Sequence, residues 1–145
     1  MEIEITEDFL PFLLVKNRGG VLELNFTRLP FRLKQKARSK VAQAVITLPD
    51  LTYLEMSGAS QLLSNDQFTN AMEKVSIVLK GGSIIKNLNL KAPEVEIKLA
   101  GASKAVMSLR SGDVDADLAG ASRLDITGEA TEFDITAKGG SRVAA

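Results

Sequence analysis

The chain of 145 residues carries 18 basic and 18 acidic side chains and contains neither cysteine nor histidine. The balanced charge gives no overall field that would attract nucleic acid or a membrane surface, and the two missing residue types exclude disulfides, a Ser-His pair and the usual zinc ligands. The length fits one domain with a hydrophobic core, and no apolar run approaches the roughly 18 residues that cross a bilayer.

The N-terminal residues predict a strand followed by a hairpin. Residues 2–6 alternate between apolar and polar side chains, as a strand does. Pro11 places the start of the next apolar run in a turn or at a sheet edge, because proline cannot donate to a central ladder. The Asn17-Arg18-Gly19-Gly20 sequence predicts a hairpin turn, and residues 21–26 predict the returning strand.

A basic segment follows at residues 28–40, with six Lys or Arg side chains and no acid. We interpret it as a solvated loop or an edge strand protected by lysine, in preference to a patch for an acidic partner. Its only aromatic residue is Phe31, so no platform for stacked bases accompanies the charge. Residues 41–48 predict the next strand, and Pro49-Asp50 turns the chain into a repeated region.

From about Thr52 to the end the chain repeats a glycine-containing corner that ends in serine. The corner serines lie 23, 20, 19 and 19 residues apart, at Ser60, Ser83, Ser103, Ser122 and Ser141. A period near 20 is typical of a solenoid in which each repeat is one coil. Apolar and polar residues alternate before and after each serine, so each coil is predicted to hold at least two short strands joined at the corner.

Stacked coils would bury a continuous apolar column that a single coil cannot bury alone. The predicted inward residues are Thr52/Leu54/Met56, Val75/Ile77/Leu79, Val95/Ile97/Leu99, Val114/Ala116/Leu118 and Phe133/Ile135/Ala137. The second corner of each coil is looser and is predicted at Asn65-Asp66, Asn87, Ser111-Gly112-Asp113 and Gly128-Glu129. We predict an all-β fold, a β-helix or a flattened relative of one, with a β-sandwich of regular hairpins as the alternative.

The repeats resemble the head GIN domain family, which is described as auto-transporter adhesins of secreted bacterial proteins. Segment 48–60, LPDLTYLEMSGAS, is similar to the LPxLxxLxxSGAS pattern that opens the family's repeats, and the N-terminal residues through Leu13 with the hairpin also fit. The family's usual strands before the opening segment are missing. The chain also stops at residues 141–145, directly after a corner. We therefore expect a part of a longer domain, with 1–48 as N-terminal strands and hairpin and 49–145 as repeat coils.

The resemblance implies a right-handed β-helical fold and an exported protein, periplasmic or at the cell surface. Because Met1-Glu2-Ile3-Glu4 is acidic and not a signal sequence, the signal peptide is expected to lie outside this chain. The family has no established biochemical activity, so the resemblance supplies no catalytic residue.

Acidic residues fill two outward columns when the repeats are aligned on their serines. These candidate binding residues are Glu94, Asp113 and Glu132 in one column and Glu96, Asp115 and Asp134 in the next. Stacked carboxylates repel unless a cation or basic side chain lies between them, and Ca²⁺ is a cation with the right ligand preference. We favour a solvated charged face, because no Asp-x-Asp-x-Asp-Gly calcium loop is present. Lys98 and the column of Lys104, Arg123 and Arg142 are expected to relieve the repulsion.

Together with the exposed ladders and the lack of catalytic residue types, the resemblance implies a non-catalytic, exported adhesin-like or scaffold module that binds glycan or protein at the cell surface. The corner serines are expected to satisfy backbone groups, since no histidine can activate them. No cofactor, nucleic-acid partner or transmembrane segment is expected. Two alternatives stay open. One is a Ca²⁺-dependent polysaccharide lyase that uses these acids with Lys104, Arg123 or Arg110. The other is a self-assembling module whose final coil offers a strand edge.

Overall fold

The computed structural model describes residues 2–36 and 42–145 and divides into two units, residues 1–47 and 48–145. Among the described residues no helix is long and apolar enough to span a bilayer. The prediction that the whole chain is a single domain within a longer one stays a prediction.

The N-terminal unit contains two pairs of antiparallel strands, in which the first strand pairs with the fourth and the second with the third. The hairpin turn at Gly19 and Gly20 is confirmed: both have positive φ, 56° and 82°, as a two-residue hairpin turn requires. Phe9 is buried, and its ring meets Phe26 edge to face at 6.3 Å. The elements are β1 (Glu2–Ile5), a 3-10 helix (Glu7–Phe12), β2 (Leu13–Arg18), β3 (Val21–Phe26), α1 (Phe31–Lys36) and β4 (Ala42–Val45).

Two N-terminal predictions need correction. Pro11 lies inside the 3-10 helix, so the apolar run begins helically. The basic segment contains α1 where a loop or edge strand was expected. Pro30 starts this helix, since its carbonyl accepts hydrogen bonds from the N–H groups of Leu33 and Lys34 at 3.0 and 3.1 Å. The remainder of the basic segment, from residue 37, and the first residue of the predicted strand at 41–48 lie outside the described residues.

Residues 48–145 form a β-solenoid of about five turns, each of roughly 19 residues, which confirms the predicted fold class. Its strands are β5 (Tyr53–Met56), β6 (Gln61–Thr69), β7 (Val75–Leu79), β8 (Ile84–Leu99), β9 (Lys104–Leu118), β10 (Arg123–Ala137) and β11 (Arg142–Ala144). They pair in parallel in the order β5-β7-β8-β9-β10-β11, with β6 beside β8.

The predicted inward residues superpose from coil to coil. The column that begins with Val75 continues through Val95, Val114 and Phe133, each directly paired with the next. The three valines are 0–2% exposed. At the ends of the stack the prediction holds less well: Thr52 is exposed in the first coil, where Leu51 is buried instead, and Ile135 and Ala137 are exposed in the last.

The glycine–serine corners bring successive coils into close backbone contact. Gly81, Gly101 and Gly120 have φ between 72° and 80°. The N–H groups of the residues that follow donate to the glycine carbonyl one coil below; Ala102 N–H, for example, lies 2.8 Å from Gly81 O. The serine hydroxyls close each corner. Ser103 Oγ, for example, donates to Ala100 O at 2.8 Å, which confirms that the corner serines satisfy backbone groups.

The second corners are only partly where the sequence predicts them. The burial alternation breaks at Ser111-Gly112, as predicted, and the aligned positions are 92–93 and 130–131. Asn87 does not align with these positions, because it lies five residues before 92–93, at a separate break in the alternation where β8 shifts register against β9. The predicted corner at 65–66 is likewise a register shift within β6. Gly128-Glu129 precedes the corner by two residues.

Candidate functional site

The six predicted acids lie in two straight columns on one exposed sheet surface. Glu94, Asp113 and Glu132 are direct neighbours on successive strands, and so are Glu96, Asp115 and Asp134. Both columns precede the glycine corner, on alternate positions whose intervening side chains point into the core. We call this surface the acidic face; it comprises the six acids and Asp117. The structure thus confirms that these residues are brought together, while their binding role stays a prediction.

Two lysines neutralise the first rung of the acidic face. Lys74 Nζ lies 2.6 Å from Glu94 Oε1 and 3.6 Å from Glu96 Oε2. Lys98 Nζ lies 2.6 Å from Glu96 Oε1, as the sequence predicted for Lys98. The hydrogen bond from Lys98 lowers the pKa of Glu96, with help from the charge of Lys74, and the pair with Glu94 raises the pKa of Lys74. Lys74, which lies just before β7, was not predicted from the sequence as a partner of these acids.

The later rungs of the acidic face carry uncompensated charge. In the described part of the chain Asp113, Asp115, Glu132 and Asp134 make no ion pair. All four are exposed and lie on neighbouring strands about 4.8 Å apart. At that spacing each pair of carboxylates repels by about 1 kcal/mol in water. A cation or a basic ligand that spans these rungs therefore gains from relief of this repulsion.

The basic column of Lys104, Arg123 and Arg142 does not relieve this repulsion, contrary to the prediction. The three residues are stacked in register, but they follow the glycine corner and begin the other set of strands. Arg123 pairs with Asp125 on its own strand, at 2.9 Å. Of the candidate lyase bases, Lys104 and Arg123 therefore lie away from the acids, whereas Arg110 lies on β9 three residues before Asp113. The lyase alternative stays a prediction.

The acidic face does not form a calcium cage. Over residues 2–36 and 42–145 no three acidic side chains converge on a point where a metal ion would be held. The carboxylates point away from a flat sheet, whereas Ca²⁺ takes six to eight oxygen ligands around it. Calcium could reach this surface only with further ligands from a bound partner, and that stays a prediction.

A concavity of about 540 Å³ lies at the second corners and was not predicted as a site. It is lined by Lys91 and Arg110, which are neighbours on β8 and β9. From the sequence, Arg110 was predicted only as a candidate lyase base and Lys91 was not predicted at all. Their common position, directly before the break in alternation, would have been the signal, but the break itself is not marked by a shared motif.

The family comparison agrees with this architecture. The family model described as "Putative auto-transporter adhesin, head GIN domain" matches residues 1–145. This chain belongs to that family. The description associates head GIN domains with adhesion and export and names no catalytic activity. No curated protein and no solved structure matches the chain at a significant level.

The ion pair on the first rung of this head GIN domain gives a pH prediction. Replacing Lys98 by methionine is expected to raise the pKa of Glu96, because the hydrogen bond that holds it down is removed. In the native protein the stabilising contribution of Glu96 is present above the ordinary glutamate pKa and is lost as pH falls through the lowered pKa. Carboxyl ¹³C NMR titration measures the shift. Lys91→Met is the control, and a Glu96 pKa that stays the same in both variants contradicts the prediction.

Proposed function

We propose that this head GIN domain is a non-catalytic, exported adhesion or scaffold module whose acidic face contacts a glycan or protein at the cell surface. The observation that carries the proposal is a set of four acids that stand side by side on β9 and β10 and make no ion pair in the described part of the chain. These are Asp113, Asp115, Glu132 and Asp134. Because fold alone does not define function, the proposal rests on this surface together with the family description.

The charge of the acidic face favours two kinds of ligand. A partner that carries amino groups, such as a basic protein segment or an amino-sugar glycan, pairs directly with the unpaired carboxylates. An acidic glycan requires Ca²⁺ between the two sets of carboxylates, since like charges otherwise repel. The flat, regular surface suits an extended ligand better than a compact one, because the described carboxylates are repeated at strand spacing and do not converge.

The binding test is a glycan array that includes amino-sugar and acidic glycans, screened with and without calcium. The native protein is expected to bind amino-sugar glycans without calcium, or acidic glycans with it. A variant with Asp113→Asn, Asp115→Asn, Glu132→Gln and Asp134→Asn is expected to lose at least about tenfold in affinity, as the loss of one or more charge-assisted contacts predicts.

The matched control removes the same number of negative charges elsewhere, with Glu4→Gln, Glu7→Gln, Glu23→Gln and Asp50→Asn. All four of these residues are exposed. The control is expected to bind as the native protein does. An equal loss in both variants would show that only net charge matters. Turnover of an acidic polysaccharide to an unsaturated product would instead establish the lyase alternative.

A further inference from the structure

The second corners form an open groove that lies beside the acidic face and shares no residue with it. The lining residues come from four successive coils, from Thr69-Asn70 through Pro93 and Gly112 to Thr131. With about 4.8 Å between strands, four coils give the groove a length of roughly 14 Å. An open groove of this length suits a few units of a linear polymer.

The floor of the groove is made of small side chains. Ala92, Ser111, Gly112 and Ala130 lie side by side at the turn of the coils. The backbone is already tight here, since a Cβ added at Gly112 would lie 2.8 Å from Pro93 O. No large side chain therefore fills the groove from below, and a ligand can approach the backbone of several coils at once.

One wall of the groove is a column of three charged residues, in which two cations are followed by one acid. Lys91 pairs in register with Arg110, and Arg110 pairs with Glu129. Lys91 and Arg110 are exposed and make no ion pair in the described part of the chain. Like charges directly opposite one another on neighbouring strands repel, so an anion placed between these two residues stabilises the wall.

Polar groups line the remaining surface. Asn70, at one end, is 5% exposed, and its Nδ2 donates to Leu51 O at 2.8 Å. Its Oδ1 is buried without a hydrogen-bond partner, so it is not among the groups that a ligand in the groove meets directly. The hydroxyls of Thr69 and Thr131 lie at opposite ends. Among these lining residues there is no aromatic side chain, so recognition must come from charge and hydrogen bonds.

We infer that this groove binds a linear acidic polysaccharide whose sugars carry carboxylates. Arg110 and Lys91 hold one carboxylate between them, with the guanidinium suited to two parallel hydrogen bonds. The sugar hydroxyls supply donors and acceptors to the polar ends. Glu129, the third member of the column, weakens the binding of a carboxylate at its end of the groove. This site lies outside the acidic face and goes beyond the proposed role of that face.

The test is calorimetric titration of the whole chain with oligogalacturonate, a neutral oligosaccharide of the same length and a sulfated oligosaccharide. The native protein is expected to bind oligogalacturonate with an affinity that falls as salt rises, and to show no heat with the neutral sugar. Lys91→Gln and Arg110→Gln are each expected to weaken binding about tenfold. Stronger binding of the sulfated sugar would assign the groove to sulfate esters and overturn the choice of carboxylate.

Two further variants separate this site from general charge effects. Lys104→Gln changes the same residue type on another column of the same set of strands and is expected to leave the affinity within about threefold, less than one charged contact is worth. Glu129→Gln is expected to strengthen binding severalfold, a gain that misfolding cannot produce. Absence of oligogalacturonate binding, or an equal loss in Lys104→Gln and Lys91→Gln, overturns the inference. The acidic-face variant is expected to bind oligogalacturonate at least as tightly as the native protein, because it removes the negative charges of Asp113 and Glu132 beside the groove. Failure of one proposal therefore leaves the other intact.

Discussion

Replacing Gly101 by alanine is expected to lower the free energy of unfolding by about 2–6 kcal/mol. Two causes add. The residue has φ of +80°, which strains any side chain, and its new Cβ would lie 2.6 Å from the backbone oxygen of Gly81 in the coil below. Backbone atoms in a hydrogen-bonded stack cannot move aside without separating the coils. Urea denaturation followed by circular dichroism measures the loss.

Gly58 provides the matched control for this substitution. It has nearly the same φ, +74°, but an added Cβ would meet nothing within 4 Å. Gly58→Ala therefore carries only the backbone strain, about 1–3 kcal/mol. If Gly101→Ala and Gly58→Ala are equally destabilised, close stacking of the corners is not what selects glycine in the middle coils.

Truncating Ile97 to alanine is expected to cost about 2–5 kcal/mol, because a fully buried side chain is removed from the centre of the apolar column. Ile97 is 0% exposed, and its neighbours in the same column are Ile77 in the coil below and Ala116 in the coil above. Because the side chain at 116 is already small, the neighbours of Ile97 cannot expand to fill the cavity that the substitution leaves.

The control substitution is in the same column. Ile135 occupies the equivalent position on β10 and is 41% exposed. Ile135→Ala is expected to cost less than about 1.5 kcal/mol, since little of the side chain leaves a packed environment. Comparable losses for Ile97→Ala and Ile135→Ala in urea denaturation would show that the last described coil is covered in solution and would refute the prediction. One edge of β10 pairs with β9, and the other pairs with β11 only as far as Asp125. Such a cover would bind the second edge beyond Asp125, where no described strand pairs. Self-association at this edge stays a prediction.

The solenoid could be predicted because its signals are local and repeated. Alternation within each strand assigns Val75, Val95 and Val114 to the interior without any knowledge of their neighbours. A period of 19 or 20 residues then places like over like, which also set the two acidic columns correctly. The errors fall where the period changes, at Thr52, where the first coil begins, and around Asn87. The repeats that end at Ser83 and Ser103 are longer than the later ones, and register shifts between the strands accommodate the extra residues.

The repeat pattern was therefore enough to predict the coils, their buried column and the stacking of Glu94, Asp113 and Glu132. The cations that pair with those acids, and the position of Lys91 beside Arg110, could be identified only in the folded protein. The reason is physical. Backbone pairing fixes strand positions from pattern alone, whereas side-chain pairs and grooves at irregular corners depend on how each insertion is accommodated between coils.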